Sequence, residues 1–353
     1  MKRVLFVIGQ LTYGGSERQL FLTARGLQAR FGVEVLCTSS ATEPFGPRLQ
    51  ACGIPVASSP PGAKWRRFVW LIGYLRTCGA FNAIVFFSTH NIVALPIVLF
   101  KRGKKVFTER SLGTWKSPRY LFVDRLLYLF VDCILANSEA TTDFVRTRFP
   151  RHATKLSVIP NGIEVPAESA VARSSRGETV FCLAAGFRPW KGHELLLEAV
   201  RILASENVGF HVILVGDGPL RESFERRILA EGLGDRFTFT GWQGDPGAYL
   251  SASDVVLNVS SHESLSNSLM EGMACGRPCI ATRVGGNPEL VEDGKTGLLI
   301  DSGAPDALAN AMLTLIRDPD TGREWGKQGR EKISEKFSVD SMVKRIGDLI
   351  DGL

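Results

Sequence analysis

The chain has 353 residues, 44% hydrophobic and 22% charged, and its 42 Lys or Arg against 36 Asp or Glu leave a formal charge of +6. That balance excludes intrinsic disorder, collagen and coiled coil, and the length suffices for two cores of roughly 150 residues each. The seven cysteines (37, 52, 78, 133, 182, 275, 279) form no CxxC pair. They read as small apolar residues of a reducing cytosol. Cys275 and Cys279 have no second ligand pair nearby, so no metal site is expected.

Met1-Lys-Arg followed by Val4–Ile8 imitates a signal peptide. The apolar run is too short for one and meets Gln10 and then glycines, so a buried first strand is expected. A helix over Ser16–Arg30 follows, with Leu20, Leu22 and Leu27 among its apolar positions. Val33–Thr38, Ala83–Phe87, Lys105–Phe107 and Asp132–Ala136 read as further strands. Apolarity on both faces is the mark of parallel βαβ packing. The run from 83 to 100 is broken by Ser88 to Asn91 and by Pro96. A membrane span needs about 20 apolar residues, so strand, loop and helix are expected there instead.

Pro160-Asn161-Gly162 is a turn signal, and Glu168–Gly177 is polar and irregular, which places a hinge around 160–175. The pattern then restarts. Val180–Ala185 predicts a strand and Gly192–Ala204 a helix. Phe210–Val215, Phe237–Thr240, Val255–Val259 and Pro278–Ala281 predict four more strands. The fold class that follows is α/β, with two Rossmann-like, doubly wound parallel-sheet domains facing a cleft. Ligands are expected at the carboxyl ends of the strands.

The halves differ in charge. Residues 1–165 carry 22 basic and 9 acidic residues, and 166–353 carry 20 and 27. A basic half suits an anionic membrane, nucleic acid or a phosphorylated substrate. Lys64 to Arg76 mixes cations and aromatics at helical spacing, as a helix lying on an anionic bilayer would. The alternative is a helix packed on the sheet through Phe68, Leu71, Ile72 and Leu75.

The densest chemistry lies in His262 to Pro278. Ser266 and Asn267 suit the N-cap of a helix running to about Ala274, and a helix start binds phosphate. Glu263 sits in the loop before that helix and Glu271 inside it. Arg188 and Lys191 stand between a strand end and a helix start, where cations hold a diphosphate. Taken alone, each segment reads equally well as an ordinary capped helix or as a solvated loop. Two further glycine turns, Gly14-Gly15 and Gly285-Gly286, open helices. No GxGxxG follows the first strand, which disfavours a dinucleotide dehydrogenase.

Seven pieces occur in a fixed order: Gly-Gly-Ser-Glu-Arg (14–18), Ile-Pro-Asn-Gly-Ile (159–163), Lys-Gly-His (191–193), Val-Gly-Asp-Gly-Pro (215–219), Phe-Thr-Gly-Trp (239–242), Glu263-x7-Glu271 and Gly-Gly-Asn-Pro-Glu (285–289). In that order the chain resembles the retaining GT-B glycosyltransferases of family 4. The resemblance implies transfer from a nucleotide-sugar, a UDP-sugar by preference, with no metal or other cofactor. It implies an amino-terminal acceptor-binding domain (1–162), a nucleotide-sugar domain (163–335) and a terminal helix (336–353) packing back toward the first. Glu271 is expected on the ribose hydroxyls and Glu263 by the donor sugar. The amides of Leu265, Ser266, Asn267 and Ser268 should meet the diphosphate, with Arg188 and Lys191 neutralising its charge. Gly14 and Gly15 should let the first loop approach the phosphates, and Gly241 and Trp242 should lie near the base.

Two departures from the family pattern stand out. Gly186 occupies the place where many relatives carry Gly-Arg-Leu, so Arg188 is three residues before Lys191 rather than five. The histidine that many relatives carry after a first-domain strand is replaced by Glu109 or Arg110, which are assigned to the acceptor side; His90 ends an earlier strand and is the remaining candidate. A glycan or lipid-linked acceptor, an anionic membrane surface met through the first domain and a cytoplasmic location are expected, and no nucleic acid. Competing readings are a GT-B sugar-nucleotide epimerase and a basic nucleic-acid binder, the latter lacking any recognisable binding motif.

Overall fold

The computed structural model describes residues 1–87, 91–113, 116–167 and 177–353. Two compact units form: residues 1–162 with 339–353, and residues 163–338.

Unit 1 runs β1 (Arg3–Ile8), α1 (Gly15–Leu27), β2 (Gly32–Cys37), α2 (Phe45–Ala51), β3 (Val56–Ser58), α3 (Lys64–Thr77), β4 (Ala83–Phe87), α4 (Asn91–Phe100), β5 (Lys104–Glu109), α5 (Pro118–Leu127), β6 (Cys133–Ala136), α6 (Glu139–Arg148) and β7 (Leu156–Val158). The seven strands pair in parallel in the order β3-β2-β1-β4-β5-β6-β7. Alternate residues of β1 feed opposite cores. Val4, Phe6 and Ile8 meet Leu20 and Leu27 of α1, whereas Leu5 and Val7 lie in the cluster with Leu71 and Leu75 of α3 and Ile97 of α4. Helices therefore cover both faces, as a sheet apolar on both sides requires.

Unit 2 runs β8 (Thr179–Ala184), α7 (His193–Ala204), β9 (Phe210–Val215), α8 (Arg221–Ala230), β10 (Phe237–Gly241), α9 (Gly247–Ala252), β11 (Val255–Asn258), α10 (Asn267–Ala274), β12 (Cys279–Thr282), α11 (Asn287–Leu290), β13 (Gly297–Ile300), α12 (Pro305–Arg317) and α13 (Pro319–Lys336). Its order is β10-β9-β8-β11-β12-β13, again all parallel. The chain then returns to unit 1 as α14 (Val339–Gly352), which buries Met342, Ile346 and Ile350 in the core shared with α1.

The order reverses between β1 and β4 in unit 1 and between β8 and β11 in unit 2. Loops leaving such neighbours diverge to opposite faces and open a crevice at the strands' carboxyl ends. Differences from the sequence reading are local. The first helix ends at Leu27 instead of Arg30, and β3, β7 and β13 are additional strands. Phe68 is exposed, so α3 packs through Leu71 and Leu75 without it. Among the described residues no helix is long and apolar enough to cross a membrane.

Candidate functional site

The two loops at unit 2's reversal point carry the chemistry. After β8 the chain turns through Phe187, whose ring is buried and stacks on His193 with centroids 4.1 Å apart. A single 3-10 turn, Pro189–Lys191, then leads into Gly192. Gly192 has φ of +77°, and an added Cβ would overlap the Val259 carbonyl oxygen at the end of β11. Only glycine meets both demands. The neighbouring loop is tied on as well, since Ser261 N donates to Trp190 O at 2.9 Å. This close approach brings Lys191 Nζ to 2.7 Å from Glu263 Oε2, with the two side chains 25% and 15% exposed. Arg188 shares the loop but not the pair; its guanidinium lies over the Trp190 ring, 5.7 Å from the centroid.

Three residues beyond Glu263, Ser266 caps α10 and accepts from Leu269 N at 3.3 Å. Leu265 is buried, and Ser268 Oγ lies 3.1 Å from Ser266 Oγ. Asn267 opens the helix, so the positive end of its dipole lies at this turn, where Leu269 N is already held by the Ser266 cap. Glu271 sits in the second turn and is 8% exposed.

A buried polar network, unsignalled by the motifs, holds this loop. Asn258, at the end of β11, donates to Ser266 Oγ at 2.8 Å and accepts from Asn287 Nδ2 at 3.3 Å. Asn287 also donates to Thr282 O at 3.0 Å, and Thr282 Oγ1 donates to Ser260 O at 2.6 Å. Beside it, an added Cβ on Gly286 would overlap the Ser264 carbonyl oxygen. The turn Gly285-Gly286 thus serves as a backstop to the loop before α10. The one hint in the sequence is an asparagine ending an otherwise apolar strand, Val-Val-Leu-Asn.

His193 is 6% exposed, and burial, then the charge of Lys191, pushes its imidazole down to about 4. It is neutral at pH 7, and its Nε2 is buried without a hydrogen-bond partner among the described residues. Farther along unit 2, Gly241 ends β10 with φ of +72° and Trp242 is exposed.

In unit 1, Gly14 is the extended N-cap of α1 and Gly15 its first residue. The Glu17 carboxylate lies against Gly14, and Gln10 Nε2 donates to it at 3.2 Å. Glu109 is buried at the end of β5, where it accepts from Tyr128 Oη at 2.5 Å and Lys116 Nζ at 2.8 Å. Lys116 also donates to Asp124 at 2.9 Å, and burial pushes that carboxyl up to about 6. Arg110 donates to Asn161 Oδ1 at 2.5 Å and lies over the Phe87 ring. Desolvation brings its guanidinium down to about 9, so it remains a cation at neutral pH. His90 lies outside the described residues.

Two doubly wound parallel-sheet units, one with a cation–carboxylate pair at a helix start, define the GT-B class. The whole chain superposes on the crystal structure of Anabaena HepE in complex with UDP and glucose, with a TM-score of 0.86, 23% identity and 100% of both chains covered. Residues 165–332 match the family of glycosyl transferases group 1, and residues 13–165 match glycosyltransferase family 4. The chain belongs to the family 4 glycosyltransferases. Among curated relatives, N-acetyl-alpha-D-glucosaminyl L-malate synthase of Bacillus anthracis is 33% identical over 48% of this chain and 45% of its own length. A GDP-mannose-dependent alpha-(1-6)-phosphatidylinositol monomannoside mannosyltransferase of Mycobacterium tuberculosis is 29% identical over 60% of each. The chain thus matches about half the length of these two relatives.

Proposed function

We propose that the protein is a retaining, metal-independent glycosyltransferase that moves a sugar from a UDP-sugar to a glycan or lipid-linked acceptor in glycan or glycolipid synthesis. The observation that carries this reading is the Lys191–Glu263 contact of 2.7 Å beside the start of α10. A cation, a carboxylate and a helix start complement what a sugar diphosphate presents: anionic phosphates, sugar hydroxyls and a leaving group that gains charge.

In the proposed reaction the diphosphate binds the first-turn amides of α10 and draws Lys191 away from Glu263. Glu263 then accepts hydrogen bonds from the donor sugar's hydroxyls, and Glu271 from the ribose. Arg188 leaves Trp190 to join Lys191 on the phosphates. As the bond between the anomeric carbon and the phosphate oxygen breaks, these fixed groups stabilise the growing charge, the part a divalent ion takes in other enzymes. The acceptor hydroxyl oxygen bonds to the same face of the sugar that the diphosphate leaves, and its proton passes to the departing phosphate oxygen. In unit 2, Gly241 and Trp242 flank the base; in unit 1, Arg110 serves the acceptor side, and His90 is the further catalytic candidate. Glu109, tied to Lys116 and Tyr128, braces the loop that follows it. The uridine nucleotide is chosen as in the HepE complex. Seven free cysteines support a cytoplasmic setting.

The test is thermal unfolding with UDP, GDP and their sugars, followed by product analysis of the stabilising donor alone and with candidate acceptors. A ligand at 100 times its Kd stabilises by about 2.7 kcal/mol, which a melting curve resolves. UDP should stabilise without added metal, with EDTA present. Stabilisation by neither nucleotide would sink the donor reading, and isomerisation of the free donor would make the protein an epimerase.

A further inference from the structure

The layer of α3, α4 and α5 on unit 1 is apolar and cationic on its outer side. Ten of the sixteen exposed large apolar side chains among the described residues fall between Trp65 and Phe130. Trp65 and Phe68 stand on α3, Leu99 on α4 and Phe122 on α5, with Leu129 and Phe130 in the turn after it. The helices are neighbours, α3 against α4 and α4 against α5.

The charges of this stretch are of one sign where they meet water. Residues 44–131 contain thirteen Lys or Arg and two acids, Glu109 and Asp124. Both acids are buried and both are consumed by Lys116, at 2.8 and 2.9 Å. By contrast Lys64, Arg66, Arg76, Arg102, Arg119 and Arg125 are exposed. None of these six has a carboxylate partner among the described residues. Elsewhere in unit 1 exposed cations do find acids, as Arg30 does with Asp348 and Asp351.

We propose that this face docks the protein on an anionic lipid bilayer. A bilayer surface meets both properties at once: phosphate headgroups take the arginines and lysines, and the acyl boundary takes the aromatic and leucine side chains. A second copy of the chain would not, because a two-fold interface sets the same patch against itself, cation facing cation. A polyanion in solution would neutralise the charge and leave most of the apolar side chains in water. The inference shares only the lipid-linked acceptor with the proposed function, and its test does not use the donor site.

The experiment is co-sedimentation of the full chain with vesicles of phosphatidylcholine containing phosphatidylglycerol, and with phosphatidylcholine alone, at low and high salt. One variant combines Arg66→Ser, Arg119→Ser and Arg125→Ser; a second combines Trp65→Ser, Phe122→Ser and Phe130→Ser. Thermal unfolding without ligand verifies that each is folded. The parent should prefer anionic vesicles, and the cation variant should lose about fivefold in partitioning per cation removed. The apolar variant should bind at low salt but wash off at high salt, unlike the parent. Equal partitioning to both vesicles at all salts would overturn the proposal. So would parent-like binding by both variants, tighter retention on single-stranded RNA than on vesicles, or a dimer that the apolar variant abolishes.

Discussion

Lys191 and Glu263 hold each other at 2.7 Å, so a donor diphosphate must compete with a carboxylate for the lysine. Glu263→Ala removes that competitor. Nucleoside diphosphate affinity, measured by calorimetry, should therefore not fall, while turnover with the full donor drops on the order of 10²-fold. Lys191→Ala should lose both, with turnover down by about 10²–10³, the scale of one preorganised stabiliser of developing charge. Equal affinity losses in the two variants would contradict the competition. His193 supplies a second residue-scale outcome. Its imidazole is held at about 4, below the usual 6.5, so the unfolded chain binds the proton more readily than the folded one. That group costs no stability above pH 6.5 and removes it as pH falls toward 4, by about 3 kcal/mol at the limit. His193→Phe keeps the stacked ring and lacks the proton site. Its melting temperature should exceed the parent's by more at pH 5 than at pH 7.5.

Among the elements, the loop before α10 is only as fixed as its supports. Asn258 bonds Ser266 and Asn287 together among buried residues at the ends of β11 and β12. Asn258→Ala removes one bond from each partner, leaving Ser266 with Leu269 N and Asn287 with Thr282 O, at about 0.5–1.5 kcal/mol for each bond lost. Unfolding in urea should show that loss. Nucleoside diphosphate affinity should fall with it, because the helix start and Glu263 lose their anchor; unchanged affinity would free the loop from the network. The sequence revealed the elements unevenly, for physical reasons. Strands buried on both faces, such as Phe210–Val215, stand out as apolar runs. β3 and β7 are three residues long and half-exposed, so they carry no such run. Spacing marked Lys191 and Glu263 as separate candidates 72 residues apart, but their contact depends on Gly192 pressing against Val259. No pattern in the sequence encodes that approach. The enclosure of Glu109, assigned from the sequence to the acceptor side, was hidden for the same reason, because the Tyr128 and Lys116 around it arrive from later turns of the chain.

For the molecule as a whole, unit 2 is one continuous stretch and unit 1 is not. Helix α14 contributes Met342, Ile346 and Ile350 to unit 1's core, and its acids Asp348 and Asp351 pair with Arg30. Burying three such side chains stabilises by roughly 1.5–3 kcal/mol each, comparable with the entire stability of a domain. A chain ending at Ser338 should therefore keep a protease-resistant unit 2 and expose unit 1 to rapid cleavage. Limited proteolysis with mass spectrometry would read this directly, and a resistant fragment spanning 1–162 would refute it.

The same returning helix inverts the order of events on the ribosome. Domains usually fold in the order in which they emerge. Here the first 162 residues leave the exit tunnel lacking one wall of their own core, while residues 163–338 emerge next and need nothing more. The second-made unit is thus the first to be finished, and the first-made one stays open until residues 339–353 have emerged. Through that interval α1 presents bare the apolar groove that Met342, Ile346 and Ile350 will later fill. That groove is apolar surface without its cover for as long as α14 is unmade, and the packing of Met342, Ile346 and Ile350 closes it.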